Sequence, residues 1–176
     1  MTEKKRTIIQ AASELFASDG YTATSTNKIA KKAGVSEGLV FRHFATKEGL
    51  LEVILKEGEQ RVKSFYSDIV FESDPKNVLK KTINLPFQLS EEDIEFMKLQ
   101  VKLAWELNKK EVVNLEPLRL KLGVAFKKLG FQNPELETDT LFYLIDGINA
   151  AILQGSLKDA DSLKSFLINK YLDNTE

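Results

Sequence analysis

Residues 15–51 read LFASDGYTATSTNKIAKKAGVSEGLVFRHFATKEGLL, and two short helices separated by a glycine turn can be parsed from them. Thr26 can cap the first, which runs through Ile29, Ala30 and Ala33. Gly34 ends it, because a residue without a Cβ accepts positive φ. Ser36 can cap the second, with Val40 and Phe44 four residues apart on its inner face. Upstream, Ile8, Ala12, Leu15 and Phe16 share one face of a helix from about Glu3 to Ser18 that stops at Gly20. A short helix, a turn of three to four residues and a second short helix is helix-turn-helix spacing. In that motif the second helix enters the major groove of DNA and the first crosses the backbone. The outward face of the second helix then holds Glu37, Gly38, Phe41 and Arg42. Gly38 lets the backbone come close to DNA, and Arg42 can reach a base edge or a phosphate. His43 and Lys47 stand where a phosphate can be met.

The helical period continues through the rest of the chain. Thr46 begins a long helix carrying Leu51, Ile54, Leu55, Val62, Phe65, Tyr66 and Ile69, which ends before Ser73-Asp74-Pro75. A helix with Val78, Leu79 and Ile83 follows and is kinked or ended by Pro86. Ser90, with Asp93 three residues on, starts another that runs to about Asn108. Pro117 opens the next, closed by Gly130. Asn133-Pro134 opens a long one that ends near Gly155, and Asp159 or Asp161 caps the last. With no strand pattern and no repeat, the expected fold is all-α, with about nine helices.

Composition narrows the function classes. The 176 residues contain one His and no Cys, which leaves little for a metal site, a thiol nucleophile or a Ser–His–acid set. No phosphate-cradling glycine loop appears either, so neither an enzyme nor a cofactor is expected. The longest uncharged stretch, Gly147–Leu157, has 11 residues, against the roughly 20 of a spanning helix. No membrane partner and a cytoplasmic location are therefore expected. The formal net charge of −1 argues at first against nucleic acid, but the charge is segregated. Residues 1–50 hold eight bases and five acids, a net of +3, while the remainder holds 17 and 21, a net of −4.

The stretch from Leu15 resembles the DNA-binding domain of TetR-family (tetracycline-repressor-like) transcriptional regulators. The resemblance lies in Gly20-Tyr21, Thr24-Ser25-Thr26, Ile29-Ala30, Ala33-Gly34-Val35-Ser36, Gly38, His43-Phe44 and Lys47-Glu48. It implies a helix-turn-helix domain over residues 1–46 and a helical ligand-binding and dimerisation domain over 47–176. By position, Thr26, Ser36, Glu37, Gly38, Phe41, Arg42, His43 and Lys47 become the DNA-contact candidates. Phe41 replaces a Tyr usual in the family, so a hydroxyl–phosphate contact gives way to packing on sugar or a thymine methyl. Leu39 likewise stands where Thr or Asn is common.

The resemblance also implies a ligand cavity among the middle helices. Phe65, Phe87, Met97, Trp105, Phe126 and Phe142 are its candidate apolar lining, with Gln100, a polar residue on a mostly apolar helix, to orient the ligand, and this balance suits a small hydrophobic effector. Charged Lys102 or Glu106 could contribute to the cavity, but both read first as a solvated helix face. A homodimer is implied, paired through the last two helices, with Leu141, Ile145, Ile148, Asn149, Ile152 and Phe166 as candidate interface residues. The expectation is a ligand-responsive repressor that binds a pseudo-palindromic operator on double-stranded DNA.

Overall fold

The computed structural model describes residues 2–108 and 114–172. Their order is α1 (Glu3–Asp19), α2 (Thr26–Lys32), α3 (Glu37–Phe44), α4 (Lys47–Val70), α5 (Pro75–Asn84), a 3-10 turn (Leu85–Gln88), α6 (Glu91–Glu106), α7 (Glu116–Lys128), α8 (Pro134–Leu153) and α9 (Ala160–Leu172). The fold is all-α, as expected.

Local chemistry sets the ends of these helices. Thr46 Oγ1 accepts the Gly49 N–H at 3.0 Å and caps α4. The Asp74 carboxylate caps α5, with Pro75 at its first position. Ser90 and Asp93 cap α6 reciprocally: each accepts the other's backbone N–H at 3.1 Å. Asn133 caps α8, and Asp159, rather than Asp161, caps α9. Two expectations need correction. The cap of α2 is Ser25, which accepts the Lys28 N–H, and Thr26 is the first helical residue. Ser36 does occupy the cap position of α3, but its side chain makes no capping hydrogen bond.

Packing divides the described residues into two units, residues 2–60 with 96–108 and residues 61–95 with 114–172. The core of the first unit brings Ile8, Ala12, Leu15 and Phe16 of α1 together with Ile29 of α2, Val40 and Phe44 of α3, Leu50 and Ile54 of α4, and Leu99 and Leu103 of α6. Burial of each large side chain here stabilises by roughly 1.5–3 kcal/mol relative to exposure. The core of the second unit gathers Tyr66, Ile69, Val78, Leu79, Ile83, Leu118, Leu122, Phe126, Leu141, Phe142, Ile148, Leu167 and Tyr171. At its centre Phe126 meets Phe131 and Tyr171 edge-on, with ring centroids 5.0 and 5.8 Å apart.

Candidate nucleic-acid interface

The inner face of α3 is fixed by Val40 and Phe44, which are buried in the first core. With that face spent, Gly38, Phe41 and Arg42 point outward and are exposed. Phe41 is 45% exposed, unusual for so large an apolar ring, and a Cβ on Gly38 would meet nothing within 4 Å. Ser36 is exposed at the start of α3. His43 is half-buried near its end, 6.1 Å from the Phe44 ring.

Three of the expected DNA contacts also have partners within the protein. Thr26 Oγ1 donates to Glu37 Oε1 at 2.6 Å, and Asn27 Nδ2 donates to Glu37 Oε2 at 3.4 Å, so Glu37 ties α2 to α3. Lys47 Nζ donates to the carbonyls of Tyr21 and Thr24, both at 3.0 Å, and lies 4.3 Å from the Tyr21 ring centroid. Tyr21 in turn donates its hydroxyl proton to Glu48 Oε1. Burial, then the Glu48 carboxylate, pushes the Tyr21 pKa up to about 12, so the phenol keeps that proton at neutral pH. Ion pairs of Lys28 with Asp19 and of Lys32 with Glu14 bind α2 to α1. Lys4, Arg6, Lys31 and Arg42 are exposed bases of the same unit.

The joint between α3 and α4 is short and strained. Thr46 N–H donates to Phe44 O at 2.7 Å around Ala45, whose φ of 61° and ψ of −46° make a γ-turn. Such a turn is costly for a residue with a Cβ. It sets the angle at which α3 leaves α4.

The seven cavity candidates are divided between the two units. Met97, Gln100 and Trp105 belong to the first unit, and Phe65, Phe87, Phe126 and Phe142 to the second. Trp105 is 83% exposed, while Phe126 and Phe142 are spent in the second core. Phe65 lines a cavity of about 170 Å³ with Leu85, Gln88, Leu89 and Asp93. Phe87 packs at the edge of the second core and Met97 is half-buried. Gln100 is buried with neither amide atom hydrogen-bonded. Its amide lies over α4, where a Cβ on Gly58 would be 2.7 Å from Gln100 Nε2.

Two further expectations are corrected. Leu141 and Ile148 are buried in the core of their own unit, with Ile145 and Ile152 packed against it, so this face of α8 is already covered. Asn149 is half-buried, and Phe166 is 63% exposed, as an interface residue must be in the single chain. The large apolar side chains that α8 leaves exposed are Leu136, Tyr143 and Leu144. Lys102 and Glu106 are not merely a solvated face: both bind the backbone around the end of α1. An acid four residues after a base has no sequence mark that separates these two roles.

Two short helices joined through a glycine turn, the second with its inner face fixed in the core and Arg42 on its exposed outer face, form a helix-turn-helix. Residues 8–54 match the family model for bacterial regulatory proteins of the tetR family. The chain is 32% identical over 154 residues to the fatty acid metabolism regulator protein of Bacillus subtilis, across 86% of this chain and 70% of that protein. It is 28% identical over 198 residues to the HTH-type transcriptional regulator YerO of the same organism, across 98% of this chain. It spans 65% of YerO's own length and 55% of that of a second such regulator. The fold matches the crystal structure of FadR from Bacillus subtilis in complex with stearoyl-CoA, with a TM-score of 0.62, 23% identity and coverage of 93% of this chain and 95% of that one. The chain belongs to the tetR family of bacterial regulatory proteins. No helix among the described residues is long and apolar enough to cross a membrane.

Proposed function

We propose that the protein is a homodimeric, cytoplasmic repressor that binds a pseudo-palindromic operator on double-stranded DNA and is released by a small hydrophobic effector. The outward face of α3 carries this reading: Gly38, Phe41 and Arg42 are exposed on a helix whose other side is locked. Arg42 reads a base edge or a phosphate, Phe41 packs on sugar or a thymine methyl, and Ser36 and His43 reach flanking phosphates. Thr26, Glu37 and Lys47 contribute chiefly by holding α2, α3 and α4 in place. In functional terms residues 1–46 read DNA and residues 47–176 take the effector and pair the protomers, although α4 and part of α6 share the first core.

Pairing uses the exposed face of α8 with Phe166 of α9. Gly147 and Ala150 are also exposed and allow close helix approach. Two copies of α3 must then lie about 34–36 Å apart, or a multiple of that, to enter successive major-groove turns. A dimer seated there occludes the DNA, which suffices for repression; activation would need a further surface for polymerase.

Two relatives support the effector class: the fatty acid metabolism regulator protein of Bacillus subtilis, and FadR of the same organism, whose crystal structure is a complex with stearoyl-CoA. A fatty-acyl chain suits the apolar side chains Phe65, Leu85 and Leu89 that line the cavity of the second unit. Release requires the effector to prefer the non-binding conformer by several kcal/mol; about 5.5 kcal/mol moves a population from 1:99 to 99:1. No cofactor is called for.

Selection of duplexes from random DNA by the full chain, with and without stearoyl-CoA, tests both halves. The expected result is an enriched inverted repeat whose enrichment stearoyl-CoA abolishes. No enrichment contradicts the operator, and enrichment indifferent to the thioester contradicts the effector class. A second test is Gln100→Leu, which removes the buried unpaired amide. It is expected to raise stability by about 1–2 kcal/mol in urea denaturation. A destabilised variant would mean that the amide is paired in solution.

A further inference from the structure

The turn between α1 and α2 is gripped from two sides. From α6, Lys102 Nζ donates to the carbonyls of Ala17 at 2.7 Å and Ser18 at 3.2 Å. These belong to the last turn of α1, whose carbonyls lack donors within the helix, and a cation there also meets the negative end of the helix dipole. One helical turn further along α6, Glu106 Oε2 accepts the backbone N–H groups of Tyr21 at 2.8 Å and Thr22 at 3.4 Å. Residues four apart share a helix face, so a single stripe of α6 meets both the end of α1 and the residues just after it. The approach depends on Gly20, because a Cβ there would stand 2.6 Å from Glu106 Oε1. From α4, Lys47 holds the carbonyls of Tyr21 and Thr24. Tyr21 thus gives its N–H to α6 and its carbonyl to α4.

We propose that Lys102 and Glu106 are positioning residues for DNA recognition. From α6 they set the pose of the α1–α2 turn and, through α2 and its Thr26–Glu37 bond, the pose of α3, without touching DNA. The apolar core, with Phe16, Ile29 and Phe44, already holds α1, α2 and α3 together. The grip therefore adjusts how the reading head is presented more than whether it folds. It also gives α6 a hold on the head that does not pass through α4.

The test measures the full chain on the duplex recovered by the selection above, over a range of salt. Lys102→Met with Glu106→Leu is expected to raise Kd about tenfold, to leave the slope of log affinity against log salt unchanged, and to leave the thermal midpoint near that of the wild type. Lys102→Arg, which keeps a cation in reach of the two carbonyls, is expected to stay within about twofold of wild-type affinity. The proposal is overturned if the double variant binds within twofold of wild type. It is also overturned if the salt slope falls by about 0.9, since Lys102 would then be a phosphate contact. An affinity loss that merely tracks a loss of folded protein overturns it too. If the double variant does not fold, Glu106→Gln keeps the shape and one acceptor oxygen. That variant is expected to lose two- to threefold in affinity, and no loss would be contrary evidence.

Discussion

Replacing Gly49 with Ala is expected to cost about 2–4 kcal/mol of stability, read as a lowered urea midpoint with an unchanged slope. Gly49 sits in the first turn of α4, where a Cβ would overlap the Phe44 carbonyl oxygen. That oxygen is backbone and cannot rotate away. It is also the acceptor of the γ-turn around Ala45, already a strained point. The Phe44 ring is anchored in the first core, so relief requires either α3 or α4 to shift as a body. Gly38→Ala provides the contrast. It lies in the same region but in open space, so its stability is expected to hold or rise by about 0.5–1 kcal/mol while operator affinity falls. A Gly49→Ala variant as stable as the wild type would mean that α3 and α4 do not meet at this angle.

Placing Glu at both Tyr143 and Phe166 is expected to convert the proposed dimer to monomer and to weaken operator binding by at least about a hundredfold. The two side chains are 73% and 63% exposed in the single chain, so the substitutions remove no core contact. Across a two-fold interface each substitution appears twice, and four buried carboxylates without partners are not tolerated. A monomer keeps one half-site and loses the gain from binding two at once. Sedimentation equilibrium reads the mass and a binding titration reads the affinity. Leu141→Glu separates interface from core, because Leu141 is fully buried and its replacement is expected to unfold the second unit. A double variant that stays dimeric would place the interface elsewhere.

The helix-turn-helix was legible because its signals are local. Glycine turns, capping residues and a short apolar repeat act within a few residues, and the inner positions Ile8, Phe16, Val40 and Phe44 are indeed the core. The exposed triad Gly38, Phe41 and Arg42 follows from the same period. Adjacent capping residues blurred one boundary: Ser25 and Thr26 can both cap, and Thr26 is instead occupied by Glu37. The faces of α8 were not legible because the helix is apolar nearly all round. Leu141, Ile145, Ile148 and Ile152 compete with Leu136, Tyr143 and Leu144, and periodicity alone does not say which set turns inward. The roles of Lys102 and Glu106 were hidden because their partners lie about 85 residues away in sequence. Gln100 drew notice as a polar residue on an apolar helix, but only the structure shows its amide buried and unpaired.

The most direct measurement is the affinity of the wild type and of Arg42→Ala for the selected operator and for a random duplex, across a range of salt. Recognition through the outward face of α3 predicts that the wild type prefers the operator by about a thousandfold or more, with log affinity falling linearly as log salt rises. It also predicts that Arg42→Ala loses at least about tenfold on the operator while remaining folded. A wild type with no preference between the two duplexes, or an Arg42→Ala variant that binds the operator as tightly as the wild type, would contradict it.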